Sequence, residues 1–121
     1  MLGNMTDLIA LLSTGKGTWG HVNRLIMDEN WGGIFLITNE FGKENFTAEK
    51  KAEFIVIDSR RGLIELRDEI YNKLNGKIKD EVAVNLVSGT GKEHMALISA
   101  LLKLGVGIRL VAVTKEGIIE I

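Results

Sequence analysis

The chain of 121 residues contains no cysteine, which excludes disulfides, thiolate metal sites and cysteine nucleophiles and suits a reducing compartment. It also has little imbalance of charge. A formal net charge of -1 at pH 7 denies it the strongly basic surface that nonspecific binding to DNA or RNA requires. Any nucleotide contact must be local. No apolar run reaches membrane-spanning length, and the N-terminus has no basic region followed by an apolar stretch. Neither a membrane span nor a signal peptide is readable, and the cytoplasm is the default compartment. Tandem repeats, low-complexity tracts and linkers are also missing. The 45% hydrophobic and 26% charged content fits one globular domain with a packed core, so residues 1–121 are read as a single domain.

What is present is an alternation of apolar runs and amphipathic stretches. Leu8-Ile9-Ala10-Leu11-Leu12 is continuously apolar, the pattern of a strand covered on both faces. Residues 21–30 read as a helix with Val22, Leu25 and Ile26 on one face, closed by Trp31-Gly32-Gly33 through a left-handed glycine cap. Ile34-Phe35-Leu36-Ile37-Thr38 is a second strand. Residues 39–53 are polar and mixed in charge and are expected to form a short helix or loop, with a helical turn starting at Thr47-Ala48-Glu49-Lys50. Residues 54–57 make a β-branched third strand, and 63–74 carry apolar side chains at helical spacing. Residues 81–87 are the fourth strand. Residues 93–104 form a helix apolar almost all round, which implies more than one packing partner. Residues 108–113 and 118–121, joined by Lys115-Glu116-Gly117, form a hairpin. The expected fold is α/β: a three-layer, Rossmann-like, doubly wound and mainly parallel sheet in the order 3-2-1-4-5, with a C-terminal antiparallel edge hairpin.

Two glycine-rich turns stand out, Ser13-Thr14-Gly15-Lys16-Gly17-Thr18 and Ser88-Gly89-Thr90-Gly91-Lys92. Each follows a strand and opens a helix. Glycine lets the backbone approach a ligand, the exposed N–H groups of a helix start attract an anion, and lysine adds a point charge. In a doubly wound sheet strands one and four adjoin where the strand order reverses, so both turns are expected to flank one crevice.

Two motifs can be tested against these residues. Walker A requires a glycine five positions before its Gly-Lys pair and Ser or Thr after the lysine. The first turn has Ala10 and Gly17 in those places, and the second has Leu86 and Glu93, which argues against a P-loop NTPase. Gly15, Gly17 and Gly20 do satisfy G-x-G-x-x-G, with Glu40 near the end of strand two. Lys16 and Trp19 crowd that turn, and there is no second domain to hold a hydride acceptor. A dinucleotide or adenine-nucleotide binding regulatory module stands as the alternative; a dehydrogenase does not.

The stretch Val84-Asn85-Leu86-Val87-Ser88-Gly89-Thr90-Gly91-Lys92-Glu93-His94-Met95 resembles the strand-turn-helix signature of the CARF domain, the CRISPR-associated Rossmann fold. In that family a strand ending in a glycine-threonine turn precedes a lysine and often a methionine. Ser13 and Thr14, straight after strand one, look like the family's other ligand loop. This chain has Ser88-Gly89 where the family usually has two glycines, and carries Gly91 between Thr90 and Lys92. The resemblance implies a stand-alone member that binds a cyclic oligoadenylate as a homodimer, the ring lying over the paired turns on the two-fold axis. It also admits a ring nuclease. In that reaction the ribose 2′-hydroxyl is the nucleophile, and the protein supplies positioning and charge stabilisation without a required metal or cofactor.

On this reading Ser13 and Lys92 are the candidate catalytic residues. Thr14, Gly15, Lys16, Gly17, Thr18, Asn39, Ser88, Gly89, Thr90, Gly91 and His94 are the candidate ligand contacts, with no metal ligand. His21 and His94 are candidate acid–base groups, since imidazole titrates near neutrality. Each has a plain structural reading beside it. Ser13 and Ser88 serve equally as turn or cap residues, Trp19 and Trp31 as seals at the ends of one helix, and Met95 as core. A noncatalytic interaction protein of Rossmann-like fold is the other class of function open to the chain.

Overall fold

The computed structural model describes residues 6–121; residues 1–5, which carry part of the N-terminal reading above, lie outside the described residues. The elements follow the chain as β1 (Asp7–Leu11), a short 3-10 turn (Lys16–Thr18), α1 (Trp19–Asp28), β2 (Ile34–Thr38), α2 (Glu40–Asn45) and β3 (Glu53–Val56). They continue as α3 (Leu63–Leu74), β4 (Glu81–Asn85), α4 (Gly91–Leu104), β5 (Gly107–Thr114) and β6 (Gly117–Glu120). The apolar runs became strands because a parallel strand covered on both faces must be apolar at successive positions. Leu8, Ile9, Ala10 and Leu11 are all buried.

One six-stranded sheet results, in the order β3-β2-β1-β4-β5-β6. The first five strands are parallel and β6 runs antiparallel to β5, pairing Ala112 with Ile119. The five-strand order anticipated from the sequence thus extends by β6 at the edge. Arg109 fastens that edge by pairing with Glu81 on β4 and Glu120 on β6. Alternate strand side chains supply two separate cores. Ile9, Leu11, Ile37, Val82 and Val84 pack with Leu66 and Ile70 of α3 and Leu97 and Leu101 of α4. Leu8, Ala10, Leu36 and Ala83 pack with Val22, Leu25 and Ile26 of α1 and with Phe46.

Four local expectations are corrected, the first being that Met95, read as core, is 62% exposed on α4. The helical turn placed at 47–50 occurs instead at Glu40–Asn45, where the Asn39 side chain accepts the Gly42 N–H at 2.9 Å. A short polar cap, rather than helix propensity, decided that start. The left-handed cap at Gly32 and Gly33 is not used: α1 stops at Asp28 with Glu29 extended, and neither glycine has positive φ. The fourth strand ends at Asn85 rather than at residue 87, because the Asn85 carboxamide turns back to accept the Val87 N–H at 3.3 Å.

Candidate functional site

Parallel strands present their carboxyl ends along one edge, and the described buried polar side chains, Thr38, Asn85 and Ser88, all lie on it. Each bridges neighbouring strands. Thr38 Oγ1 donates to the Leu12 carbonyl at 2.9 Å, joining β2 to β1. The Ser13 N–H donates to Ser88 Oγ at 2.7 Å, and Ser88 Oγ donates to Ser13 Oγ at 3.0 Å, joining the turns after β1 and β4. Asn85 Nδ2 donates to the Val111 carbonyl at 2.9 Å, joining β4 to β5. Burying a hydroxyl or amide is costly unless it is hydrogen-bonded, so these links fix the relative positions of the loops.

The first turn is open. Thr14, Gly15, Lys16 and Gly17 are exposed, and no side chain caps either the 3-10 turn or α1. The Thr18 hydroxyl is buried without a hydrogen-bond partner. Ser13 Oγ donates to the Gly15 carbonyl at 3.0 Å, so this candidate catalytic hydroxyl is engaged within its own turn. The Trp19 indole N–H donates to the Ser13 carbonyl at 3.0 Å, and its ring meets Phe46 edge-on at 5.5 Å. Trp19 is therefore a seal and not a free stacking surface. Lys16 Nζ lies 5.7 Å from the ring centres of both Trp19 and Phe41, within range of a cation–π attraction.

The second turn is closed on itself. Thr90 caps α4 by accepting the Glu93 N–H at 3.2 Å, while Glu93 accepts the Thr90 N–H at 2.8 Å. This reciprocal capping box satisfies two of the N–H groups at the helix start, and it sets a carboxylate where an anion would otherwise bind. Gly89 holds φ +98°, and a Cβ there would meet Glu93, His94 and Leu11, so the conformation and the close packing both require glycine. His94 Nε2 donates to the Ser88 carbonyl at 2.8 Å and closes the turn. Lys92 Nζ donates to the Arg61 carbonyl at 2.8 Å, tying α4 to the β3–α3 loop. Gly91 is the exposed first residue of α4.

The two histidines differ in chemistry. His21 Nε2 accepts the Val113 N–H at 3.2 Å and lies 3.2 Å from Asn85 Nδ2. That nitrogen must be unprotonated, and burial, then the charge of Arg24, pushes the imidazole below its ordinary 6.5. His21 props β5 through the Val113 N–H.

A cleft of about 620 Å³ opens beside the first turn, between α2 and the loop after β3, lined by residues including Asn39, Glu40, Phe41, Asp58, Ser59 and Arg60. Phe41 in its wall is 41% exposed. Sequence reading passed over Phe41 because residues 39–53 show no apolar periodicity; the available signal was Asn39 standing directly before Glu40 as a helix start. No cluster of three or more His, Asp or Glu side chains placed to hold a metal ion occurs among the described residues. No helix among them is long and apolar enough to cross a membrane. A scan against protein-family models and a search of curated proteins both return no match.

Proposed function

We propose that the chain binds a cyclic oligoadenylate as a homodimer, in the crevice between the turns that follow β1 and β4, with its phosphates on the first of them. The supporting observation is the direct bond between those turns, Ser13 N–H to Ser88 Oγ, which sets two glycine-rich segments side by side at the end of adjacent parallel strands. That is where ligands meet an open parallel sheet whose strand order reverses. The first turn provides uncapped backbone N–H groups and Lys16, the second a rigid wall. Ring cleavage would have the 2′-hydroxyl attack the adjacent phosphorus while the 5′-oxygen leaves with a proton. Ser13 Oγ and Lys92 Nζ are both bonded to carbonyls of the protein itself, so the arrangement favours binding over turnover.

Dimerisation is supported by an unpartnered apolar stripe. Met95 and Leu102 of α4 are 62% and 66% exposed, and with Ile98 they fall at i, i+7 and i+3 on one side of the helix. Leu110 and Ile119, both exposed, extend apolar surface onto β5 and β6. Surfaces of this kind are natural self-association sites. Light scattering should give the mass of a dimer, and Leu102→Glu should shift it toward monomer; a monomeric wild type at micromolar concentration overturns this part.

One observation favours the rival dinucleotide reading: Glu40, the exposed acid after β2, lines the cleft next to the Gly15-Gly17-Gly20 turn. A thermal-shift series separates the two, because a ligand that binds the native state stabilises it by mass action. Cyclic oligoadenylates of increasing ring size should raise the melting temperature and nicotinamide dinucleotides should not. Stabilisation by the dinucleotide alone overturns the proposal.

A further inference from the structure

We infer that the cleft between α2 and the β3–α3 loop is a purine-base subsite, with the exposed ring of Phe41 as its stacking face; this rests on the nucleotide reading above. Its volume of about 620 Å³ lies within the range of roughly 300–1,000 Å³ typical of small-molecule pockets. Its charges suit a base better than a phosphate. Asp58 is paired with Arg60 at 3.0 Å, and hydrogen bonds from Arg60 hold its carboxyl down at about 2. Lys73 is bound to Glu69 at 3.2 Å and to the Val56 carbonyl. The cations lining the cleft are thus occupied, whereas Glu40 has no ion-pair partner among the described residues. A dianionic group gains nothing there.

What the cleft does offer is a stacking face and polar groups of both kinds. The Asn39 carboxamide uses its oxygen on the Gly42 N–H and keeps its N–H donors, the Glu40 carboxylate accepts, and the Ser59 hydroxyl does either. An adenine edge presents an amino donor beside ring-nitrogen acceptors and matches that mixture. The helix that carries Phe41 lies close against β2, since a Cβ on Gly42 would overlap the Thr38 side chain. Its ring lies 6.2 Å from that of Trp19, and Lys16 Nζ stands 5.7 Å from its centre. A base on Phe41 therefore leaves its own phosphate next to the first turn's lysine. Stacking on an aromatic ring is tolerant of sequence but contributes substantially to affinity.

Calorimetry with adenosine monophosphate and with ribose 5-phosphate tests this directly. The wild type should bind adenosine monophosphate at least about tenfold more tightly than ribose 5-phosphate, the factor expected of one stacked base. Phe41→Leu, which keeps apolar bulk against Trp19, should bring the two affinities together without weakening ribose 5-phosphate, and Phe41→Trp should restore the difference. Equal affinities in the wild type overturn the base subsite while leaving phosphate binding intact. Unchanged discrimination in Phe41→Leu overturns the assignment to this cleft but not the nucleotide reading. No binding of either probe, or of any cyclic oligoadenylate, overturns both.

Discussion

The two glycine turns look alike in sequence and differ in state. The turn after β4 directs most of its side-chain hydrogen bonds inward: Thr90 and Glu93 cap each other, His94 holds the Ser88 carbonyl, and Lys92 reaches Arg61. The turn after β1 has not, with uncapped helix N–H groups, exposed Gly15 and Gly17, and Lys16 against two aromatic rings. A glycine-lysine pattern therefore fixes where a loop can approach an anion, while neighbouring side chains decide whether its donors are free. The open turn is the one suited to receive phosphate, and the closed one to hold the crevice in shape.

The sharpest way to break this contrast is ligand affinity. Lys16→Ala should cost about 1.5–3 kcal/mol of phosphate binding, the range of a charge-assisted hydrogen bond, roughly ten- to a hundredfold by calorimetry with a cyclic oligoadenylate. Lys92→Ala should cost less than about tenfold, since its ammonium must first leave the Arg61 carbonyl. A larger loss for Lys92 would reverse the roles of the turns.

Stability should move the opposite way. Gly89→Ala meets both an unfavourable φ and close contacts and should destabilise by about 1–3 kcal/mol in chemical denaturation. Gly17→Ala, with open space around it and no positive φ, should change stability by less than about 1 kcal/mol. Equal effects would show the second turn to be no more constrained than the first. Caps give a smaller version of the same test. Thr90→Ala should lose about 1 kcal/mol, whereas Thr18→Ala, which removes a hydroxyl that bonds nothing, should be neutral or slightly stabilising.

The smallest effect is on pH dependence, through the histidine that follows the first turn. His21 has its folded pKa below its ordinary 6.5, so the unfolded chain binds the proton more readily. Its neutral form contributes stability that is complete above 6.5 and is lost as pH falls toward the folded value. Melting temperatures between about pH 8 and pH 5 should fall less steeply in His21→Gln than in the wild type, and an unchanged slope would remove His21 from this role.

Much of the fold was legible because buried parallel strands announce themselves. Residues 8–12, 34–38 and 54–57 are short continuous apolar runs, and 63–74 carries one apolar face; each became the expected element within a residue or two. The miss at 39–53 has a definite cause. A six-residue helix makes no periodic pattern, and its start was set by one side-chain cap and by Gly42 packing under Thr38. Phe41, the aromatic that this helix exposes, was lost with it. The adjacency of the glycine turns was legible, since strand order follows from alternating strands and helices with short connections.

The sequence by itself determined the α/β sheet, the order of its elements and the edge on which both turns lie, because hydrophobic periodicity and short connections act locally along the chain. Only the tertiary structure decided which polar groups on that edge are free. Ser13 meets Ser88 across 75 positions, Lys92 meets Arg61 across 31, and Lys16 stands over a ring from another helix. Such partners come together only when the strands pair, and hydrogen bonding, unlike burial, depends on which atoms meet within about 3 Å.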